Sequence, residues 1–163
     1  MKSAAVLTIS DSCSRGERID RSGPAVAELL REKGFDVQHR QIVPDDQPAI
    51  EEALIAAARL AQLVITTGGT GIAVRDVTPE ATRAVCSRFV DGIPERMRAA
   101  GAGQTPLAAL SRGVCGVRGG ALVVNLPGSP DGAVQSLAAV IDILPHAVDL
   151  MAGKTEHKRD GNG

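Results

Sequence analysis

The sequence contains no tryptophan and no tyrosine, and its only aromatic rings besides three histidines are Phe35 and Phe89. Proteins that bind single-stranded nucleic acid usually stack the bases on aromatic side chains. An aromatic platform of that kind is therefore nearly excluded. A planar heterocyclic ligand would have to be held by backbone hydrogen bonds and aliphatic contacts.

Neither sign of charge predominates, because 18 Lys and Arg oppose 19 Asp and Glu for a net charge of −1. This balance gives no electrostatic reason to expect nucleic acid or an anionic membrane as a partner. The first apolar segment has only about seven residues, too short for a signal-peptide core or a membrane span. We therefore expect a cytoplasmic protein.

Cysteine is scarce and dispersed, at Cys13, Cys86 and Cys115. The odd number and the lack of a Cys-x-x-Cys pair argue against a disulfide framework and against a structural zinc site. Free thiols in a reducing compartment are the better interpretation.

Strand-like and helix-like segments alternate along the chain. Continuous apolar runs predict buried strands at residues 4–10, 63–67 and 121–126, and residues 36–43 are predicted to form a further strand. Such strands, separated by helices, are typical of a parallel sheet between two helix layers. The sequence predicts one three-layer α/β/α domain over residues 1–152 and a polar, flexible tail over residues 153–163.

Helix starts are indicated where a capping residue stands beside proline or before an apolar stripe. The predicted caps are Ser22, Asp46, Thr78 and Ser129. Pro145 interrupts the apolar pattern of the last helix and predicts a kink there.

Three of the predicted strands end in unusual polar or glycine-rich segments. In an open parallel sheet, ligands collect beyond the carboxyl ends of the strands. The segments are Ser10–Ser12, Gly68–Gly71 and Asn125–Ser129. We expect all of them to meet at one edge of the sheet.

The glycine loop, Gly68–Gly71, would let backbone amides approach phosphate oxygens with no Cβ in the way. It is not a P-loop, because no Gly-Lys-Ser/Thr follows it. Taken alone, the loop fits a tight strand-to-helix connection with positive φ better than a ligand site.

The acidic residues beside this loop have two interpretations each. Asp76 could complement the dipole of the following helix, or hold Mg²⁺ beside phosphates. Asp46 is the better helix cap, which leaves Asp45 available for a cation. Arg75 could contact an anionic ligand or be a surface cation.

Asn125 stands at the end of a buried strand and must find hydrogen-bond partners, either in loop backbone or on a ligand ring. The histidines share no spacing with a nucleophile or a metal cluster, so no Ser-His-Asp set is visible. They are His39, His146 and His157.

One pair of motifs is specific at its spacing: Thr67–Gly71 (Thr-Gly-Gly-Thr-Gly) and Arg75–Glu80 (Arg-Asp-Val-Thr-Pro-Glu). The segments that accompany it are Ser10–Ser12, Asp20–Pro24, Val43–Asp46, Leu110–Arg112 and Asn125–Pro130. From about Leu7 to Gly153 the chain resembles the molybdopterin adenylyltransferase family of molybdenum cofactor synthesis, which includes MogA, MoaB and the G domain of gephyrin.

The resemblance implies a cytoplasmic homotrimer that transfers AMP from ATP to the terminal phosphate of molybdopterin, with Mg²⁺ as cofactor and pyrophosphate as product. The family's two acidic residues map onto Asp45 and Asp76, as catalytic and metal-binding residues. The implied contacts to nucleotide or pterin phosphate are Ser10, Asp11, Gly68, Gly69, Thr70, Gly71, Ser111, Asn125, Pro127, Gly128 and Ser129. A molybdate-insertion protein is a candidate partner.

The chemistry agrees with this resemblance, since a phosphate monoester with a second pKa of about 6 is largely ionised at pH 7 and needs no general base. It does need relief of charge repulsion and in-line positioning, which metal and backbone amides supply. The alternatives are a non-catalytic pterin carrier or trimeric scaffold, and a generic nucleotide-binding module.

Overall fold

The computed structural model describes residues 1–154. Most of the predicted tail, residues 155–163, lies outside the described residues. Within them one six-stranded sheet has the order β2-β1-β3-β6-β5-β4. The strands are β1 (Lys2–Ile9), β2 (Phe35–Val43), β3 (Leu63–Thr67), β4 (Arg88–Phe89), β5 (Cys115–Arg118) and β6 (Ala121–Leu126).

Four of these strands run parallel, because β1 pairs in parallel with β2 and β3, and β3 pairs in parallel with β6. At the remaining edge of the sheet, β5 pairs antiparallel with β6, and β4 pairs antiparallel with β5. The prediction of a mostly parallel sheet is confirmed.

Helices cover both faces of the sheet. They are α1 (Asp11–Ser14), α2 (Ser22–Glu32), α3 (Gln47–Leu60), α4 (Thr78–Val85), α5 (Gly92–Ala102), α6 (Pro130–Val140) and α7 (Leu144–Met151). A 3₁₀ helix spans Pro106–Leu110.

The core is divided by the sheet into two apolar layers. Successive residues of a strand point to opposite faces, and so Ile65 packs with α2, α5, α6 and α7 while its neighbour Val64 packs with α3 and α4. This alternation gives the predicted three-layer α/β/α arrangement.

Three parts of the chain differ from the predictions. The antiparallel pair of β4 and β5 at the sheet edge was not predicted, and α1 lies in a segment predicted to be a loop. The last predicted helix is two helices, α6 and α7, bent by 63°. Pro145 lies in the first turn of α7, where its missing N–H costs no hydrogen bond, so the bend falls before the proline and not at it.

Two of the four predicted caps are confirmed. Asp46 accepts a hydrogen bond from the amide of Ala49 at 3.1 Å, and Ser129 accepts one from Gly132 at 3.1 Å. These caps start α3 and α6.

The caps at Ser22 and Thr78 are wrong, because both residues lie inside their helices. At α2 the carboxylate of Asp20 accepts from the Gly23 amide at 3.0 Å and takes over the role predicted for Ser22. The hydroxyl of Thr78 instead donates to the carbonyl of Gly68 at 2.9 Å.

No single helix of residues 1–154 is long and apolar enough to cross a membrane, although the bent pair α6 and α7 would be by length and composition. All of the cysteines are free thiols. Burial raises the pKa of Cys86 to about 11 and that of Cys115 to about 12.

Candidate active site

The carboxyl ends of β1, β3 and β6 meet at one edge of the sheet, as the sequence predicts. The amide of Gly68 donates to the carbonyl of Leu126 at 3.1 Å, and that of Ser10 donates to Val43 at 2.9 Å. Beyond them lies a cleft of about 340 Å³. The predicted site residues that line this cleft are Ser10, Asp45, Gly68, Gly69, Asp76, Gly128 and Ser129.

The glycine loop has consecutive left-handed residues, with φ of +102° at Gly68 and +66° at Gly69. A Cβ on Gly68 would lie 2.2 Å from the carbonyl oxygen of Ile9, and one on Gly69 would lie 3.0 Å from Asp45 Oδ1. Positive φ and close approach both therefore require glycine here. The backbone of the loop lies directly against the Asp45 carboxylate.

The Asp45 carboxylate is half-buried and held by one of its oxygens. Its Oδ2 accepts a hydrogen bond from the Asp11 amide at 2.9 Å, while Oδ1 has no hydrogen-bond partner among residues 1–154. Burial raises the pKa of Asp45, and the neighbouring Asp11 and Asp76 carboxylates raise it further. A cation in the cleft would relieve this cost of holding the charged form.

Asp76 is held in the same way by its own loop, residues 71–77. Its Oδ2 accepts from the Ala73 amide at 3.0 Å, and a Cβ on Gly71 would lie 2.8 Å from that oxygen. Oδ1 has no partner within the described part of the chain. The carboxylate thus stabilises its loop and does not cap α4.

The free oxygens of Asp45 and Asp76 suit Mg²⁺, which is typically bound by one or two carboxylates together with substrate phosphates and water. Residues 1–154 contain no cluster of three or more His, Cys, Asp or Glu side chains that could hold a metal ion. A metal ion here would therefore complete its coordination with water or with substrate oxygens. The metal-binding role of this pair stays a prediction.

Asp11 does not line the cleft, and its carboxylate is engaged within the chain. Arg75 forms a bidentate ion pair with it, at 2.5 Å from Nε to Oδ2 and 3.0 Å from Nη2 to Oδ1. This hydrogen bonding holds the pKa of Asp11 below its usual value. The predicted ligand contact of Asp11 stays a prediction. In the structure its carboxylate binds the Arg75 guanidinium.

Several predicted contacts lie beside the cleft and not in it. An adjoining apolar pocket of about 280 Å³ shares Ser129 with the cleft. The predicted residues that line this pocket are Thr70, Gly71, Ser111 and Pro127. The cleft and the apolar pocket are thus two adjoining cavities, each of which could bind a different part of a ligand.

The side chain of Asn125 forms its hydrogen bonds within the protein. The residue is 1% exposed. Its Oδ1 accepts from the Val114 amide at 3.1 Å, and its Nδ2 donates to the hydroxyls of Thr66 and Thr82 at 3.1 and 3.0 Å. Both donor hydrogens are used, so the side chain positions strands, and its predicted contact with a ligand stays a prediction.

Replacing Asn125 by leucine is expected to lower the free energy of unfolding by about 1–3 kcal/mol, because the Val114 amide loses its buried partner. Urea unfolding followed by far-ultraviolet circular dichroism measures this, since the chain has no tryptophan. The exposed Gln38, replaced by leucine, is the control. Equal stabilities of the two variants would contradict the structural role of Asn125.

Sequence reasoning gave no role to the segment that forms the remaining wall of the cleft. Arg18 and Arg21 line it, and their guanidinium groups have no hydrogen-bond or ion-pair partner among residues 1–154. Asp20, between them, accepts from the Thr8 hydroxyl at 2.8 Å. The Asp20–Pro24 motif is the only signal that could have pointed here.

The fold and cleft define an α/β ligand-binding domain with two carboxylates beside a glycine loop. Residues 5–146 match the family model described as "Probable molybdopterin binding domain". The chain belongs to this molybdopterin-binding domain family.

Known proteins agree in sequence and structure. A Helicobacter pylori (strain J99) protein named molybdopterin adenylyltransferase is 43% identical over 91% of this chain and 86% of its own. Dictyostelium discoideum gephyrin is 34% identical over 91% of this chain and 22% of its own length. The crystal structure of the molybdopterin biosynthesis enzyme MoaB from Thermus thermophilus has a TM-score of 0.88 and 49% identity, covering 94% of this chain and 98% of that one.

Proposed function

We propose that this protein is a molybdopterin adenylyltransferase, which transfers AMP from ATP to the terminal phosphate of molybdopterin with Mg²⁺ and releases pyrophosphate. The name of the Helicobacter pylori relative supports the reaction. The observation that carries the proposal is the placement of Asp45 and Asp76 in one cleft, each with a carboxylate oxygen that has no partner among residues 1–154.

The chain supplies what this reaction requires. Mg²⁺, when bound, would neutralise charge between two anionic reactants, and the free oxygens of Asp45 and Asp76 would hold it. The amide of Gly69 lines the cleft and donates no hydrogen bond within residues 1–154, so it can face a phosphate oxygen. The nucleophile is already ionised, and none of the histidines within residues 1–154 lines the cleft.

The proposal is tested by incubating the protein with molybdopterin, ATP and Mg²⁺. We expect pyrophosphate in a coupled assay and adenylylated pterin by mass spectrometry, each in proportion to the other. Tight pterin binding without pyrophosphate would instead indicate the non-catalytic carrier or scaffold. ATP binding with no preference for pterin would indicate the generic nucleotide-binding module.

The proposal includes a homotrimer in the cytoplasm, where ATP is available, and a molybdate-insertion protein that receives the product. Exposed apolar side chains support an assembly: Ile72 is 70% exposed, Val74 97% and Leu107 69%. Light scattering should give a mass three times that of the 16.8 kDa chain. A monomer at micromolar concentration would contradict this part of the proposal.

A further inference from the structure

Arg75 lies at the junction of three loops that carry the acidic side chains of the site. Its guanidinium binds both carboxylate oxygens of Asp11, and its Nη2 also donates to the backbone carbonyl of Asp45 at 3.0 Å. Arg75 is also the residue immediately before Asp76. One side chain therefore connects the segment after β1, the segment after β2 and the Asp76 loop.

The link between Asp11 and Asp45 is reciprocal. The Asp11 amide donates to Asp45 Oδ2 at 2.9 Å, and the Asp45 amide donates to Asp11 Oδ1 at 3.0 Å. Asp11 Oδ1 thus accepts from both Asp45 and Arg75. A shift of the Asp11 carboxylate would therefore move Oδ1, the oxygen that holds the backbone amide of Asp45.

The opposite side of the Asp76 loop is fixed by a second arginine. Arg112 donates to the carbonyl oxygens of Gly71 at 2.7 Å and Asp76 at 2.8 Å, and it pairs with Glu80. The loop is therefore anchored to its neighbours on one side by Arg112. On the other side, the hydrogen bonds of Arg75 tie it to the strand ends that carry Asp11 and Asp45.

We infer that Arg75 and Asp11 are positioning residues, which together set the spacing and orientation of the Asp45 and Asp76 carboxylates. This assigns Arg75 a role other than binding an anionic ligand, and it assigns Asp11 a role other than contacting substrate. The test of this inference by adenylyl-transfer kinetics rests on the proposed function, whereas its test by metal binding does not.

The binding readout uses Mn²⁺ alone, titrated with the full chain and followed by electron paramagnetic resonance. Replacing Arg75 by methionine is expected to weaken Mn²⁺ binding by about 10–100-fold, as loss of outer-shell partners usually does. Arg75→Lys should restore it only in part, because an ammonium group cannot reproduce a bidentate guanidinium contact. Arg96→Met is the matched control, since Arg96 is an exposed arginine that donates to the backbone carbonyl of Ala139 at 2.7 Å and does not line the cleft.

A double-mutant cycle separates positioning from direct ligand binding. If Arg75 and Asp11 act as one unit, the combination of Arg75→Met and Asp11→Asn should bind Mn²⁺ no more weakly than either single variant. The same cycle in the pyrophosphate assay should lower kcat, with KM for ATP changed less than twofold.

The inference is overturned if wild-type protein shows no Mn²⁺ binding, if Arg75→Met binds Mn²⁺ as wild type does, or if the two substitutions are additive. An effect of Arg75→Met confined to KM would mean that Arg75 contacts ATP directly, and it would also overturn the inference. A lack of pyrophosphate release by the wild type would contradict the proposed function alone, because the Mn²⁺ titrations would still decide the role of Arg75.

Discussion

Asp76→Asn is expected to reduce kcat/KM for adenylyl transfer on the order of 10³-fold, because a metal held by carboxylates supplies several kcal/mol of charge stabilisation in the transition state. Asparagine can still accept the hydrogen bond that Asp76 Oδ2 takes from the Ala73 amide. The loop should therefore keep its shape while the negative charge is lost. Pyrophosphate release at saturating Mg²⁺ measures the effect.

Asp142→Asn is the matched control, because Asp142 is 85% exposed and pairs with Lys33. It should retain wild-type activity. Circular dichroism should show that Asp76→Asn unfolds at the wild-type urea concentration. Full turnover by Asp76→Asn would contradict the metal-carboxylate mechanism. If Asp76→Asn unfolded at a lower urea concentration than wild type, its loss of activity would be attributed to loss of structure.

The charged Asp45 carboxylate is expected to lower the free energy of unfolding in the absence of metal, as well as to serve the reaction. Its pKa is raised in the folded protein, so at pH 7 the charged carboxylate opposes folding, and this opposition disappears as the pH falls through the folded pKa. Neutral asparagine at this position should not destabilise the chain. Bound Mg²⁺ should stabilise wild type more than such a variant.

The sequence was sufficient for the layers of the fold and for the meeting of the strand ends. Continuous apolar runs such as Leu63–Thr67 define buried strands without knowledge of their neighbours, and the strand-end rule then brings Asp45, Gly68 and Ser129 to one edge. Asp46 was predictable as a cap because its hydrogen bond to Ala49 spans only three residues.

What could not be predicted depends on contacts between distant residues. Arg75 and Asp11 are 64 positions apart, and no spacing rule connects them. Thr78 has the residue type of a cap, but its hydroxyl donates to Gly68 because the glycine loop packs against α4. The two-residue strand β4 has both residues exposed, so it shows no apolar pattern.

Gly68→Ala is expected to lower the free energy of unfolding by about 2–6 kcal/mol, since a left-handed non-glycine residue and an overpacked contact each cost about 1–3 kcal/mol. The added Cβ would lie 2.2 Å from the carbonyl oxygen of Ile9. That oxygen belongs to the backbone of β1 in the middle of the sheet, so the contact cannot be relieved by a side-chain rotation.

Gly34→Ala separates these two costs. Gly34 also has positive φ, at +88°, but a Cβ there would meet no atom within 4 Å. This control should therefore lose only the backbone part, and urea unfolding by circular dichroism should place it between wild type and Gly68→Ala. Equal losses in the two variants would mean that the close approach of the glycine loop to β1 contributes nothing. A larger loss in Gly68→Ala would show that the glycine loop lies against the backbone of β1 too closely to admit a side chain.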